Sequence, residues 1–484
     1  MVRTSFFSSG LTDAEIDSIQ ASTGMIHGTL PVRYLGVPLC TTKLNISHCE
    51  RLIQQVKSRF NSWTVKTLSF AGRLLLIKTV IAGITNFRCS SFVLPKACIK
   101  RINSLCSMFL WKGNIEGHNS ARVSWESVTR KKEHGGLGII DLLTWNKATC
   151  LKLVWMLFFR AGSVWVAWFR DEILQGDISN YWTIKPSRKH SWLANKLIKL
   201  RSDVYPWIKL RVQDGRSCKF WIENWSPFGN LQHFLNPTGC SRLGIAKNAT
   251  LASLWRDGAW RLPHARSDNE LELHMFLTTL QMQEGKDYYE WELEGRISNK
   301  YSTGEVYHLL RGELPVVPWK TVVWSTGAIP HHSFLTWLFV LDRCPTRDRI
   351  LSWGLQTDPA CLLCSIAPES RDHLLFNCGF SFSIWTLLSR RCSIQTLSDW
   401  DQIIVQLINL RTGKLHRRLV VIAWQAAIYA IWTERNSRLH RSVFRSTDSI
   451  GKSIITQVTN RISSFRPTNP SLSSKLMQIW QSTA

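Results

Sequence analysis

Four side chains in one short stretch have the types and spacing of a metal site. Cys361 and Cys364 are followed by His373 and Cys378, a C-x2-C-x8-H-x4-C pattern. Zinc is held by four sulfur or nitrogen donors arranged as a tetrahedron. Two cysteines three apart on a tight turn can face one ion, and a His and a Cys leaving a short helix can complete the set. Four protein ligands leave no position for water or substrate, so the pattern predicts a structural zinc ion and not a catalytic one. The rival reading is a group of ordinary buried cysteines beside a surface histidine. Cys344, His331 and His332 lie nearby in sequence and could substitute as ligands, although their spacing does not demand it.

Other reactive constellations are missing from the sequence. There is no Asp-Asp dipeptide to hold magnesium as a polymerase palm does, and no Walker, G-x-S-x-G or H-E-x-x-H motif. No residue is therefore nominated as catalytic. A dispersed carboxylate set of the ribonuclease H type remains an alternative, but carboxylates are sparse where it would lie. After Glu369 and Asp372 only Asp399, Asp401, Glu434 and Asp448 follow, and Asp399 and Asp401 most simply cap a helix. Arg130–Gly138 is basic and glycine-rich but lacks the Gly-Lys-Ser/Thr of a phosphate loop, so it reads as a flexible basic turn.

The elements that position these residues belong to a long, basic, tryptophan-rich chain. With 484 residues and 44% hydrophobic content, it has material for several cores and is not disordered by composition. Its formal net charge of +26 favours a polyanionic partner such as nucleic acid. That charge is uneven. Residues 1–160 carry 21 Lys and Arg against 8 Asp and Glu, residues 161–300 carry 19 against 15, and residues 301–484 carry 20 against 11. The basic surface is thus expected toward both ends. The 24 Trp suit base stacking as well as core packing, which is their ordinary role. Thirteen cysteines lack the regular spacing of a secreted scaffold, and Met1–Gly10 lacks a signal-peptide core. Both point to a reducing, intracellular location with free thiols. The apolar stretches Leu151–Phe169 and Leu419–Trp432 contain Lys152, Arg160 and Gln425, and read as buried helices, not membrane spans.

The periodicity predicts a mainly α fold with small β elements. Tyr34–Leu39 is expected to be a strand or turn, broken by Gly36 and Pro38. Ser47 and Glu50 have capping-box spacing ahead of an apolar stripe of Cys49, Leu52, Ile53, Val56, Phe60 and Trp63. A second helix is expected over 69–84 and a third from Pro95, with Ile99, Ile102, Cys106 and Phe109 facing inward. The Asp214-Gly215 turn followed by Ser217–Ile222 suggests a β-hairpin. Helices return from Tyr301 onward, with a strong one near 415–440, and Arg466–Ser474 reads as a loose tail.

In combination these residues resemble a known family. Tyr34–Leu39, Trp63 with Leu68–Arg73, Phe109–Gly113 and Glu133–Ile140 are similar to the region after the palm in plant LINE-type (non-LTR) reverse transcriptases. Trp337, Arg343–Arg349, Trp353-Gly354, Cys361, Cys364, Glu369-Ser370, His373, Cys378 and Trp385 resemble the reverse transcriptase zinc-binding domain, and Ile431–Asn436 matches the pattern that follows it. The resemblance implies a thumb-like basic helical bundle over 1–160 and a Trp-rich connector over 161–300. It further implies the zinc-binding domain over 301–390 and a C-terminal helical region over 391–484. It also implies a nuclear location, and fingers and a catalytic palm that would precede residue 1. On this reading the chain is a polymerase-derived, zinc-binding, nucleic-acid-binding protein without polymerase activity. Lys57, Arg59, Lys66, Arg73 and Lys78 would contact phosphates of RNA or DNA. The alternatives are a zinc-stabilised interaction protein and a ribonuclease H-like nuclease.

Overall fold

The computed structural model describes residues 4–30, 32–34, 37–39, 43–62, 68–118, 120–235 and 243–482. Trp63 and Lys66 lie outside them. The protein is 57% helical with 6% strand, which establishes the mainly α class with small β elements. It divides into two compact units. One comprises Met1–Leu52, Ile84–Ile99 and Leu142–Gly312, and the other Ile53–Gly83, Lys100–Asp141 and Glu313–Ala484.

The early helices follow the apolar spacing. Helix Glu50–Ser62 buries Leu52, Ile53, Val56 and Phe60, and Lys96–Lys112 buries Ile99, Ile102, Cys106 and Phe109. Ser69 caps the second helix by accepting from the Gly72 N–H, and the helix runs Phe70–Leu76, then a wide turn at Ile77–Ile81, then Ala82–Ser91. Phe70–Ser91 is the one continuous helix among the described residues long and apolar enough to cross a membrane by length and composition. Val32–Tyr34 and Val37–Leu39 pair antiparallel, as the Gly-Pro break suggests. Residues 47–49 make a short 3-10 turn ahead of helix Glu50–Ser62, in which Asn45 Oδ1 accepts from the His48 N–H.

In the first unit Trp155, Trp182, Trp221, Trp225 and Trp291 are core, whereas Trp168 is exposed. Helix Leu142–Phe159 packs on Thr303–Arg311 and carries Trp155, Phe158 and Phe159 into an aromatic cluster with Tyr181, Trp182, Tyr289 and Trp291. The hairpin suggested at Asp214-Gly215 is replaced by a longer-range sheet. Strand Ile208–Arg211 pairs with Tyr288–Leu293, which pairs with Arg296–Ser298. Segment Ser217–Ile222 contributes only a bridge between Lys219 and Thr250. The turn before it is organised by Asp287, whose carboxylate accepts from the N–H groups of Gln213, Gly215, Ser217 and Cys218 and from the Ser217 hydroxyl.

In the second unit the 28-residue helix Lys414–Arg441 is buried on all sides through most of its middle. Helices Pro330–Val340, Gly379–Arg391 and Thr447–Ser463 surround it. Gln425, the polar interruption in this apolar run, is fully paired. It accepts from Ser333 Oγ and donates to the carbonyls of Val322 and Val323, which removes the cost of burying an amide. The segment Arg130–Gly138 is a tight structure and not a flexible turn. Gly136, Leu137 and Gly138 donate back to Lys131, Val128 and Arg130, and a Cβ at Gly136 would meet the Arg130 carbonyl at 2.2 Å. The tail also differs from expectation. Pro470–Ser482 is a helix that buries Leu476 and Trp480, because its apolar residues recur at helical spacing beyond the Pro- and Ser-rich start.

Candidate metal centre

The chain from Cys361 to Cys378 forms a knuckle followed by a helix start. The Cys361 N–H donates to the Ala367 carbonyl and the Ser365 N–H to the Cys361 carbonyl, each at 2.8 Å. Ser365 takes φ +55° to close this turn, and Ala360 bridges Pro368 beneath it. Ser370 Oγ accepts from the His373 N–H, starting one wide helical turn at His373–Asn377. Cys378 then stands at the N-terminus of helix Gly379–Arg391.

These elements bring together the four residues that the spacing singles out. One ligand atom from each of Cys361, Cys364, His373 and Cys378 lies within 4.8 Å of every other. Cys364 Sγ is 3.3 Å from His373 Nε2. A tetrahedral zinc site with bonds of about 2.3 Å to sulfur and 2.0–2.1 Å to nitrogen has donor–donor edges of about 3.5–3.8 Å, so the cluster has the right size and donor set. Cys361 and Cys378 are buried, whereas Cys364 and His373 are half-buried. The thiols already differ in acidity. A hydrogen bond shared with Cys361 holds Cys378 below the usual thiol range, helped by the N–H groups of Ser381 and Phe380 at the helix start, while the same bond and burial push Cys361 up. Zinc binds cysteine sulfur in its thiolate form. Among the described residues this is the one group of three or more His, Cys, Asp or Glu side chains placed to share an ion. Cys344, His331 and His332 stand outside it. Cys344 is buried, and His332 stacks on Tyr429 with ring centres 4.4 Å apart.

A second layer ties the knuckle to the long helix. Glu369 is fully buried and pairs with Arg435, with Nη2 to Oε1 at 2.8 Å and two further contacts from Nε. Glu369 also accepts from the Arg347 N–H. Arg438 donates to the Leu363 carbonyl inside the knuckle and is itself held by Glu434, which also binds Arg445. Burial pushes the Glu434 carboxyl upward, but the Arg445 N–H and the two guanidinium groups outweigh it and hold the group below the usual carboxylate range. Glu369 and Glu434 are thereby consumed by structural ion pairs. Asp399 caps helix Trp400–Ile408 by accepting from the Gln402 N–H, as its sequence position suggests. In the sequence Glu369 and Arg435 are parts of a pattern without an assigned role. Glu369 lies inside the ligand stretch and Arg435 on the long helix, so no local signal announces a pairing across 66 residues.

The nominated phosphate contacts within the described residues lie on two helices, Glu50–Ser62 and Phe70–Ser91. Arg59 is exposed and Lys57 half-buried on helix Glu50–Ser62. Arg73 donates to the Leu110 carbonyl and lies 5.2 Å from the centre of the Phe70 ring, so its guanidinium is engaged inside the fold. Lys78 is half-buried, and burial followed by the neighbouring Lys132 lowers its pKa.

Residues 301–385, which contain all four clustered Cys and His residues, match the family described as zinc-binding in reverse transcriptase. An Arabidopsis thaliana protein with the provisional name ribonuclease H protein is 26% identical over 357 residues. The aligned part is 72% of this chain and 57% of that curated relative, so the chain spans little more than half its length. Together the matches fit a retrotransposon-type protein that carries a reverse transcriptase zinc-binding domain.

Proposed function

We propose that this chain is a zinc-organised nucleic-acid-binding protein of the plant LINE-type reverse transcriptase lineage, acting by binding and not by phosphoryl transfer. The convergence of four soft donors within a segment matching a zinc-binding family carries the reading. Cys361, Cys364, His373 and Cys378 would hold one structural Zn²⁺, which supplies cross-linking of the knuckle to the helix start and no open coordination site. The net charge of +26 supports a nucleic-acid partner, RNA or DNA, bound mainly through phosphates. No membrane association and an intracellular, nuclear or cytoplasmic, location belong to the same reading. The relative's name favours a second reading, a nuclease. Against it, among the described residues no cluster of carboxylates stands ready to hold magnesium, and two of the buried acids are locked to arginines.

The test is a filter-binding titration of RNA and DNA oligonucleotides over a salt series, run beside a magnesium-dependent nuclease and primer-extension assay. Steeply salt-dependent, sequence-tolerant binding without turnover is expected. A flat salt response would favour the interaction-protein alternative, and magnesium-dependent cleavage would overturn the non-enzymatic reading.

A further inference from the structure

The first unit contains a cavity of about 730 Å³ walled by lysines. Lys43, Lys96, Lys147, Lys196 and Lys199 line it, and the rest of the wall is largely apolar, including Leu44, Val93 and Leu143. Only Lys147 is neutralised, by Asp203 at 2.7 Å. Among the described residues the other four ammonium groups have no carboxylate partner within 4 Å. Their charges are felt locally. Burial lowers the pKa of Lys196, and Lys199, Lys43 and Lys96 lower it further. Lys96 also opens helix Lys96–Lys112, whose first turn has no acidic residue, so the positive end of the helix dipole adds to the same field. A protein that holds four like charges around one concavity pays in repulsion until an anion enters.

We propose that the pocket walled by Lys43, Lys96, Lys196 and Lys199 seats consecutive phosphates of a single-stranded nucleic acid. The inference rests on the nucleic-acid reading above and names the part of the surface that does the binding. Ammonium groups on flexible stems suit several phosphate oxygens without demanding the planar, two-pronged geometry that arginine imposes. Trp192, half-buried in the wall, carries the Lys196 ammonium over its ring at 5.6 Å, and the apolar wall accepts sugar carbons. A flexible single strand can turn its phosphates into such a concavity. A stiff duplex or the flat headgroup plane of a membrane cannot.

The experiment uses the full chain, a fluorescent oligouridylate, inorganic tripolyphosphate and phosphatidylserine vesicles as probes. The variant is K43Q/K196Q/K199Q, with K196R/K199R as its charge-preserving partner. Losing three phosphate contacts should reduce the slope of log affinity against log salt by about 2, since each contact on a single strand contributes about 0.7. Tripolyphosphate should displace the oligonucleotide from the wild type. The unliganded glutamine variant should melt no lower than the wild type because repulsion is relieved, and K196R/K199R should keep the wild-type slope. An unchanged slope in the glutamine variant, a lower melting temperature without ligand, or binding of vesicles but not of the oligonucleotide would overturn the pocket. Absence of any oligonucleotide binding by the wild type would instead defeat the nucleic-acid reading itself, and this inference with it.

Discussion

Replacing Arg435 by Met should loosen the knuckle far more than the loss of an ordinary ion pair. Glu369 is fully buried and Arg435 is 2% exposed, so the substitution leaves a carboxylate without its counter-ion in the interior. Glu369 would lose three contacts from the guanidinium and keep the Arg347 N–H at 3.1 Å. Breaking a buried pair from one side costs about 3–5 kcal/mol, whereas replacing both partners by apolar groups costs far less. The exposed pair Arg261–Asp257 supplies the contrast, with side chains 62% and 87% exposed. Its loss should cost no more than about 1 kcal/mol. Native-state hydrogen exchange followed by mass spectrometry reads the difference locally. Protection of peptides covering 361–378 and 430–440 should fall by about 10² to 4 × 10³ in Arg435→Met, since about 1.4 kcal/mol is a factor of ten. Protection of strand Ile208–Arg211 in the other unit should stay unchanged, and Glu369→Leu/Arg435→Met should recover most of the loss. A fall of less than about fivefold in Arg435→Met, equal to that of Arg261→Met, would refute the reasoning.

Three further outcomes follow from the same structure. Burial and the neighbouring His331 lower the pKa of His332 to about 3, below the ordinary value near 6.5. The stability contributed by keeping it neutral is complete above pH 6.5 and is lost as pH falls toward 3, so His332→Phe should flatten the acid limb of a melting-temperature profile in that window. Asp287→Ala removes the acceptor of five hydrogen bonds around Gly215 and should cost about 2–3 kcal/mol, read as a lower urea midpoint at unchanged slope. Burial raises the Asp287 carboxyl, but the donors at 213–217 outweigh it and hold it below the usual range. Its stabilisation is therefore full above about pH 4 and fades as pH falls through the lowered value, a fading absent in Asp287→Ala. Trp480→Ala should cost about 3–5 kcal/mol because the indole is 1% exposed and donates to Thr459 Oγ1, and protease cleavage near the tail should rise accordingly.

What the sequence made legible was local. The stripe from Leu52 to Phe60 and the inward face of Lys96–Lys112 could be counted out because helical burial repeats every 3.6 residues. The ligand set was legible for a similar reason, since Cys361 to Cys378 is short enough for spacing to constrain geometry. Long-range pairing was not. Ile208–Arg211 finds its partner about 80 residues downstream, beyond the Asp-Gly turn that suggested a nearer one. The Glu369–Arg435 pair spans 66 residues and depends on the packing of two helices and a knuckle. Arg73 has contacts that no local pattern announces. A cation on a basic helix reads as a phosphate contact, and the Leu110 carbonyl and the Phe70 ring beside its guanidinium come from packing that the spacing does not encode.

The central claim is that Cys361, Cys364, His373 and Cys378 form one closed metal site. Elemental analysis of the purified chain beside its His373→Ala variant tests it most directly. One zinc per chain in the wild type, lost in the variant, is the predicted result. Equal metal content in the two proteins would contradict the account.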